Sequence, residues 1–202
     1  MTVSAVPRII VANGSLRTGG FRERVLAARE AGFDGLGMHV RDYANLRLAG
    51  WTDADLRAVL RDNGFDLIEI ETILGWDDPP ESREEDGLHR EQLAFELADA
   101  VGARHVVAVG ALTGEARDTA AEGFAGLCDR AADHGLLVAL EPQACSSITD
   151  LQSAVAIVEP PRGQTGASTS ISGTRRAVLG RGPNWPHLVA TRSWWPKSTT
   201  AR

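Results

Sequence analysis

The chain has 202 residues, of which 43% are hydrophobic, so it can form one domain with a substantial core. It has no run of about 18 apolar residues and no signal-peptide pattern, which argues against a membrane as a partner. Its two cysteines, Cys128 and Cys145, are too few for a disulfide framework. These features together predict a cytoplasmic protein.

The charge of the chain changes abruptly near residue 160. All 27 acidic residues and 14 of the 21 basic ones lie in 1–159, which therefore carries a net charge of −13, whereas 160–202 has no acidic residue. One folded domain seldom changes composition in this way, so we predict a domain at 1–159 and a non-native or disordered basic tail at 160–202. The acidic domain argues against nucleic acid as a partner, because phosphate binding needs a basic surface.

Short apolar runs alternate with amphipathic stretches along the first part of the chain, as expected for repeated βα units. In chain order the pattern predicts strand 8–12, helix 21–31, strand 35–40, helix 53–63, strand 65–74, helix 84–101, strand 104–109, helix 115–134, strand 136–141 and helix 149–158.

The predicted strands are almost wholly apolar, which indicates a parallel sheet that is covered on both faces. This pattern leaves a βα-barrel and an open doubly wound sheet as candidates. A doubly wound nucleotide-binding domain usually has a glycine-rich phosphate loop, but no G-x-G-x-x-G motif occurs and the single lysine, Lys197, lies in the tail. We therefore predict an α/β fold that is a partial (β/α)8 TIM barrel of about five βα units with an irregular C-terminal tail.

Polar residues at the ends of predicted strands are the candidates for chemistry, because catalytic groups of βα-barrels lie at the carboxyl ends of the strands. Glu141 ends the fifth strand and could be a ligand, a base or the first solvated loop residue. Glu69 and Glu71 point to one face of the third strand, where they either pair with an arginine or contact substrate. His39 is a site residue or a core-edge histidine, and Trp76 covers a ligand or packs a loop.

Three segments resemble the sugar phosphate isomerase/epimerase group, which belongs to the xylose isomerase-like, AP endonuclease family 2 TIM barrels. They are EAGFDGLGMH at 30–39, AFELADAVGARHVV at 94–107 and GLLVALE at 135–141. The resemblance extends over about 8–159, which corresponds to strands one to five of eight. It implies isomerisation or epimerisation of a small sugar or sugar-like substrate by metal-dependent proton transfer.

The resemblance also implies roles for individual residues. Glu141 matches the glutamate that binds a divalent metal (Mn, Mg or Zn) and often transfers a proton, while His39, Glu71 and Trp76 would contact substrate. The remaining metal ligands of that group come from strands six to eight, which this sequence does not encode as written. We therefore expect no tightly bound metal, an inactive chain, and self-association through exposed sheet edges.

Two other functions remain open at this stage. An AP endonuclease-like barrel has the same fold, but the charge of −13 on 1–159 argues against binding to DNA. A non-catalytic α/β binding module of the doubly wound type, with a disordered tail, would have a closed five-stranded sheet and a ligand pocket independent of the tail.

The tail reads as the product of a frameshift after about residue 159. We back-translated the tail with GC-rich codons and read it again from the third base of each codon. In this shifted frame, 167–174 becomes a strand-like sequence that ends in D-L-W-H. The same shift converts 193–201 into L-V-A-E-V-D-D-G, an apolar strand with an acidic end. Tryptophan has a single codon, so Trp194 and Trp195 constrain the second sequence strongly.

Restoring the reading frame near codon 160 should yield a longer chain that carries an Asp and a His from D-L-W-H and a further Glu beyond residue 202. These groups would complete a divalent metal site with Glu141, because several oxygen or nitrogen ligands are needed. Calorimetry with Mn²⁺ or Zn²⁺ should show tight binding to the repaired chain and none to the 202-residue chain. An early stop codon in the restored frame, or a tight site in the 202-residue chain that Glu141→Ala abolishes, would contradict the frameshift.

Overall fold

A computed structural model of the chain describes residues 8–78, 85–112, 114 and 118–158, with backbone alone for 85–88 and two short strands beyond them. The strands are β1 (Ile10–Val11), β2 (Gly35–His39), β3 (Leu67–Ile73), β4 (His105–Val109), β5 (Leu137–Glu141), β6 (Ser168–Ser170) and β7 (Ala177–Gly180). The helices are α1 (Phe21–Glu30), α2 (Val40–Leu48), α3 (Asp53–Asp62), α4 (Glu85–Val101), α5 (Ala120–Asp133) and α6 (Leu151–Val158), with a 3₁₀ turn at Asn13–Ser15.

The first five strands form one parallel sheet in which neighbours in sequence are neighbours in space. A doubly wound sheet reverses its strand order at a switch point, and no such reversal occurs among β1 to β5. Consecutive parallel strands joined by helices are the arrangement of a βα-barrel. The prediction of a partial barrel of five βα units is therefore confirmed.

The main core lies between this sheet and the helices. Alternate residues of the strands contribute to one buried cluster on that side, including Leu36, Met38, Ile68, Ile70, Val106, Ala108, Val138 and Leu140. On the opposite side, Val107, Val109 and Ala139 form a second, smaller cluster. Because side chains alternate along a strand, the polar residues of odd number in β2, β3 and β5 share this second side, which is the inner face of a barrel.

Helix α3 begins as its sequence predicts. The Thr52 hydroxyl accepts a hydrogen bond from the Asp55 backbone N–H at 3.2 Å, and the Asp55 carboxylate accepts one from the Thr52 backbone N–H at 2.8 Å. This reciprocal capping box satisfies two backbone donors that the helix cannot satisfy internally.

Helix α2 was not predicted. It starts directly after β2, and the side chain of His39 caps it by accepting a hydrogen bond from the Arg41 backbone N–H. Histidine is not among the preferred capping residues, and no loop separates the strand from the helix, so the usual start signal is missing.

We expected the outer edge of β5 to be unpaired, but it has a partner strand. Over Val138–Leu140, β5 pairs with the antiparallel strand β7, and β7 in turn pairs with β6. The rest of the predicted tail at 160–202 lies outside the described residues, so the proposal that the tail is non-native still depends on its composition and back-translation.

Strand β1 has one partner, β2, and lies at the edge of the described sheet. Ile9, directly before β1, is 41% exposed. A free backbone edge next to an exposed apolar side chain favours association with another chain. Among the described helices, none has the length and apolarity needed to cross a bilayer.

Self-association at the β1 edge should be reduced by Ile9→Glu, which places a charge directly before β1 at a side chain that is 41% exposed. Size-exclusion chromatography with light scattering should show oligomers for the parent chain and a larger monomer fraction for the variant. Leu48→Glu is the matched control, because Leu48 is 87% exposed at the end of α2 and its charge should not affect the edge. A monodisperse parent monomer with a cooperative melt above about 60 °C would contradict this prediction.

Candidate active site

Three polar side chains lie on the inner face of the sheet, near the carboxyl ends of its strands. His39 ends β2, and its Cα lies in register with that of Glu71 on β3. Glu141 ends β5 and is in register with Val109 on β4. The charge of Glu141 acts on Glu71, so the two carboxylates are electrostatic neighbours although β4 separates their strands.

Glu71 is the most perturbed of these groups. Its side chain lies across Gly37 of the neighbouring strand, since a Cβ atom at position 37 would come within 2.1 Å of its Oε1. Burial raises the pKa of Glu71 to about 7, a hydrogen bond from the Asn13 backbone N–H at 3.3 Å opposes this rise, and the negative charge of Glu141 makes a smaller contribution in the same direction as burial. The Glu71 carboxyl therefore exchanges a proton near neutral pH.

The loop that supplies this backbone donor is held in place by an ion pair. Arg24 Nη1 donates to the Asn13 side-chain oxygen at 3.1 Å and to the Asp42 carboxylate at 2.6 Å. These contacts join the loop after β1 to helices α1 and α2. They fix the position of the Asn13 backbone N–H that faces Glu71.

Glu141 is half-buried at the mouth of the sheet, as its place at the end of an apolar strand predicts. Burial raises the pKa of Glu141, while a hydrogen bond with the Gln143 side chain lowers it. The loop after the strand is rigidly bonded: the Gln143 backbone N–H donates to the Ile148 carbonyl at 2.9 Å, and Ser147 donates to the Ala111 carbonyl at 2.6 Å.

His39 is half-buried and bonded through one ring nitrogen. Its Nδ1 accepts the Arg41 backbone N–H at 3.0 Å. Burial lowers the pKa of His39, and the positive charges of Arg41 and Arg90 lower it further, whereas Asp42 acts in the opposite direction. The imidazole is therefore neutral at physiological pH.

Trp76 has the contacts of a packed residue. Its side chain is 1% exposed, its Nε1–H donates to the Val109 carbonyl at 2.8 Å, and its ring meets Phe124 edge-on at 5.4 Å. An aromatic ring that binds a sugar needs an accessible face, which this conformation does not present. The contacts thus match the packing alternative for Trp76 rather than the substrate contact.

Glu69 and His105 form a buried pair lower on the inner face. His105 Nε2 lies 2.7 Å from Glu69 Oε2, and the two residues are in register on β3 and β4. Burial lowers the pKa of His105 to about 4, so the ring is neutral and the contact is a hydrogen bond between adjacent strands. An arginine partner and a substrate contact were the two alternatives for Glu69; its described partner is instead a histidine, which sequence spacing did not indicate.

The candidate donors do not form a metal site by themselves. The described residues contain no group of three or more His, Cys, Asp or Glu side chains arranged to bind one. Glu71 accepts from a backbone N–H, Glu141 bonds to Gln143, and His39 uses Nδ1 in a helix cap. Each donor is thus engaged by protein, and the metal centre implied for the family requires ligands beyond this set.

A family model of the xylose isomerase-like TIM barrel matches residues 25–162. The chain belongs to this family. No curated protein sequence matches it significantly. The family match and the strand order agree on the barrel class.

Solved structures show the same fold at low sequence identity. The crystal structure of the IOLI protein with a binding zinc atom has a TM-score of 0.65 and 15% identity over 75% of this chain and 58% of that one. D-allulose 3-epimerase from Methylomonas sp. gives 0.56 and 15%, over 75% and 58%. A 3-keto-D-glucoside 4-epimerase from E. coli gives 0.57 and 18%, over 76% and 64%. The chain thus spans about three fifths of these xylose isomerase-like barrels.

The raised pKa of Glu71 should make stability depend on pH. Between its unfolded pKa near 4.5 and its folded pKa of about 7, the folded state keeps a proton that the unfolded state releases. Stability from this group is therefore lost as pH rises. In denaturant titrations, Glu71 should lower the free energy of unfolding of the parent by about 2–3 kcal/mol between pH 5 and pH 8. Glu71→Gln should remove this decrease.

The control is Glu30→Gln, at an exposed position on α1. It should leave the pH dependence of the free energy of unfolding unchanged. The histidines, whose lowered pKa values act in the opposite direction, contribute equally in the parent and in each variant. Their contribution to the pH dependence therefore cancels when a variant is compared with the parent. Equal pH slopes for the parent and Glu71→Gln would show that Glu71 is ionised throughout this range.

Proposed function

We propose that this chain carries the proton-transfer carboxylates of a sugar isomerase or epimerase. The observation that carries the proposal is the electrostatic pair Glu71 and Glu141 on the inner face of the sheet, with the pKa of Glu71 at about 7. Two carboxyl groups whose environments differ can serve as base and acid at one pH. The similarity to two epimerases supports a sugar or sugar-like substrate.

The proposed chemistry begins beside the carbonyl of a keto sugar. Ionised Glu141 takes the proton from the carbon next to the carbonyl, and the electrons of that C–H bond form the enediol double bond. Protonated Glu71 gives its proton to the carbonyl oxygen, so the charge on oxygen is neutralised. In the return step protonated Glu141 gives its proton to an enediol carbon, and ionised Glu71 removes the hydroxyl proton from the oxygen that becomes the carbonyl, so both groups regain their starting state. Protonation of the other carbon gives the isomer, and protonation of the original carbon on its opposite face gives the epimer.

We also propose that the 202-residue chain does not turn substrate over. The described residues lack a complete ligand set for the metal of the family, and the chain spans 58% of the zinc-bound neighbour. A proton-transfer pair without the groups that stabilise the enediolate oxygens leaves the barrier high. Glu141, His39 and Glu71 would then be the retained part of an active site whose other groups lie in the later strands of the barrel.

Deuterium exchange tests this function directly. D-allulose in D₂O should gain no deuterium next to its carbonyl when incubated with the 202-residue chain. A chain with the restored reading frame should incorporate deuterium, and both Glu71→Gln and Glu141→Gln should reduce its rate by a factor of 100 or more, on the order of a lost acid–base group.

Glu30→Gln serves as the control, because this residue is exposed at the end of α1, next to the amino end of β2 rather than the carboxyl ends of the strands. It should leave the exchange rate unchanged. Exchange by the 202-residue chain that depends on Glu71 would show that the chain is active as it stands. Exchange by the restored chain that is insensitive to both glutamates would refute their assignment.

A further inference from the structure

A histidine beside two carboxylates at the mouth of a barrel invites assignment as a metal ligand, but the surroundings of His39 indicate another role. We propose that His39 is held as the neutral Nε2–H tautomer and donates a hydrogen bond to a carbonyl or hydroxyl oxygen of an uncharged sugar. The inference concerns the site described under the proposed function and depends on it only for the identity of the ligand.

The tautomer follows from the helix cap. The Arg41 backbone N–H lies 3.0 Å from His39 Nδ1, so the lone pair of Nδ1 accepts that hydrogen. A neutral imidazole carries one proton, and it must then reside on Nε2. A nitrogen that carries this proton has no lone pair for a metal, so His39 cannot be a ligand while it caps α2.

Burial has the largest effect on the ring and keeps it neutral, whereas the nearby charges act in both directions. Asp42 favours the imidazolium, Arg41 on its own helix and Arg90 on α4 disfavour it, and Glu71 lies in register on β3. Protonation at Nδ1 would also break the cap and leave the Arg41 N–H without its acceptor.

The remaining donor is available to a ligand. Among the described residues, none forms a hydrogen bond with His39 Nε2. His39 is in register with Glu71 on β3, so an oxygen bound to Nε2–H would lie near the groups proposed to move protons. A neutral donor stabilises a carbonyl or hydroxyl oxygen without adding charge.

The tautomer can be read from long-range ¹H–¹⁵N spectra of the histidine rings in the 202-residue chain. At pH 7 His39 should show a protonated Nε2 and an unprotonated, hydrogen-bonded Nδ1. A protonated Nδ1, or an imidazolium ring at this pH, would overturn the proposal. The addition of Zn²⁺ should leave the His39 signals in place, and their displacement would equally overturn it.

The cap itself is tested by a matched pair of variants. Arg41→Pro deletes the backbone N–H within the first turn of α2, and Arg41→Ala retains it, while both remove the arginine charge. The first should give a mixture of tautomers and raise the pKa of His39 above that in Arg41→Ala, toward about 6.5. The same tautomer in both variants would show that the cap does not select it; if Arg41→Pro fails to fold, the spectrum of the parent decides.

Ligand binding is read on the same ring. D-fructose should shift the Nε2–H proton of His39 in a saturable manner, and fructose 6-phosphate should bind no more tightly, since the proposed donor is uncharged. No shift at saturating sugar, or at least tenfold tighter binding of the phosphate, would refute the ligand assignment. These signals are independent of deuterium exchange at Glu71 and Glu141, so failure of either proposal is recognised separately.

Discussion

The alternation of side chains across an in-register parallel sheet determines the rest of this structure. In β2, β4 and β5, and in β3 as far as Ile70, residues of even number face the helices and are apolar, so their burial holds the sheet to its helical layer. Their odd-numbered neighbours necessarily face the other side. A polar residue in one of those positions therefore lies on the inner face, even where its burial is unfavourable.

Burial on that face converts ordinary carboxylates into perturbed ones. Glu69 and Glu71 are two residues apart on one strand, yet the free-energy cost of burying each carboxyl group is reduced in a different way. Glu69 is 1% exposed and shares a hydrogen bond with neutral His105 on the next strand. Glu71 lies over Gly37 beside the charge of Glu141, and its pKa rises to about 7. One pair stabilises strand pairing, whereas the other group is left able to exchange a proton.

The sequence alone was sufficient for the order and type of most elements, because apolar runs and terminal glycines are local signals. It was also sufficient to place Glu71 and Glu141 at strand ends. Helix α2 was missed, since its capping group is the His39 ring rather than a serine, threonine or aspartate. The partners of Glu69, Glu71 and Trp76 come from residues between 33 and 58 positions away, and no local pattern encodes such contacts.

The same long-range contacts explain why a family resemblance transfers unevenly to single residues. Glu141 keeps the strand-end position that the resemblance assigns to it, but its carboxylate is hydrogen-bonded to Gln143 of the loop that follows β5. His39 keeps its position as well, but its Nδ1 is occupied by the start of α2. Position in a barrel is inherited through the hydrophobic pattern of the strands, whereas the state of a side chain depends on the atoms around it. A residue can therefore occupy a family position and still differ in tautomer, charge or bonding from what that position usually supplies.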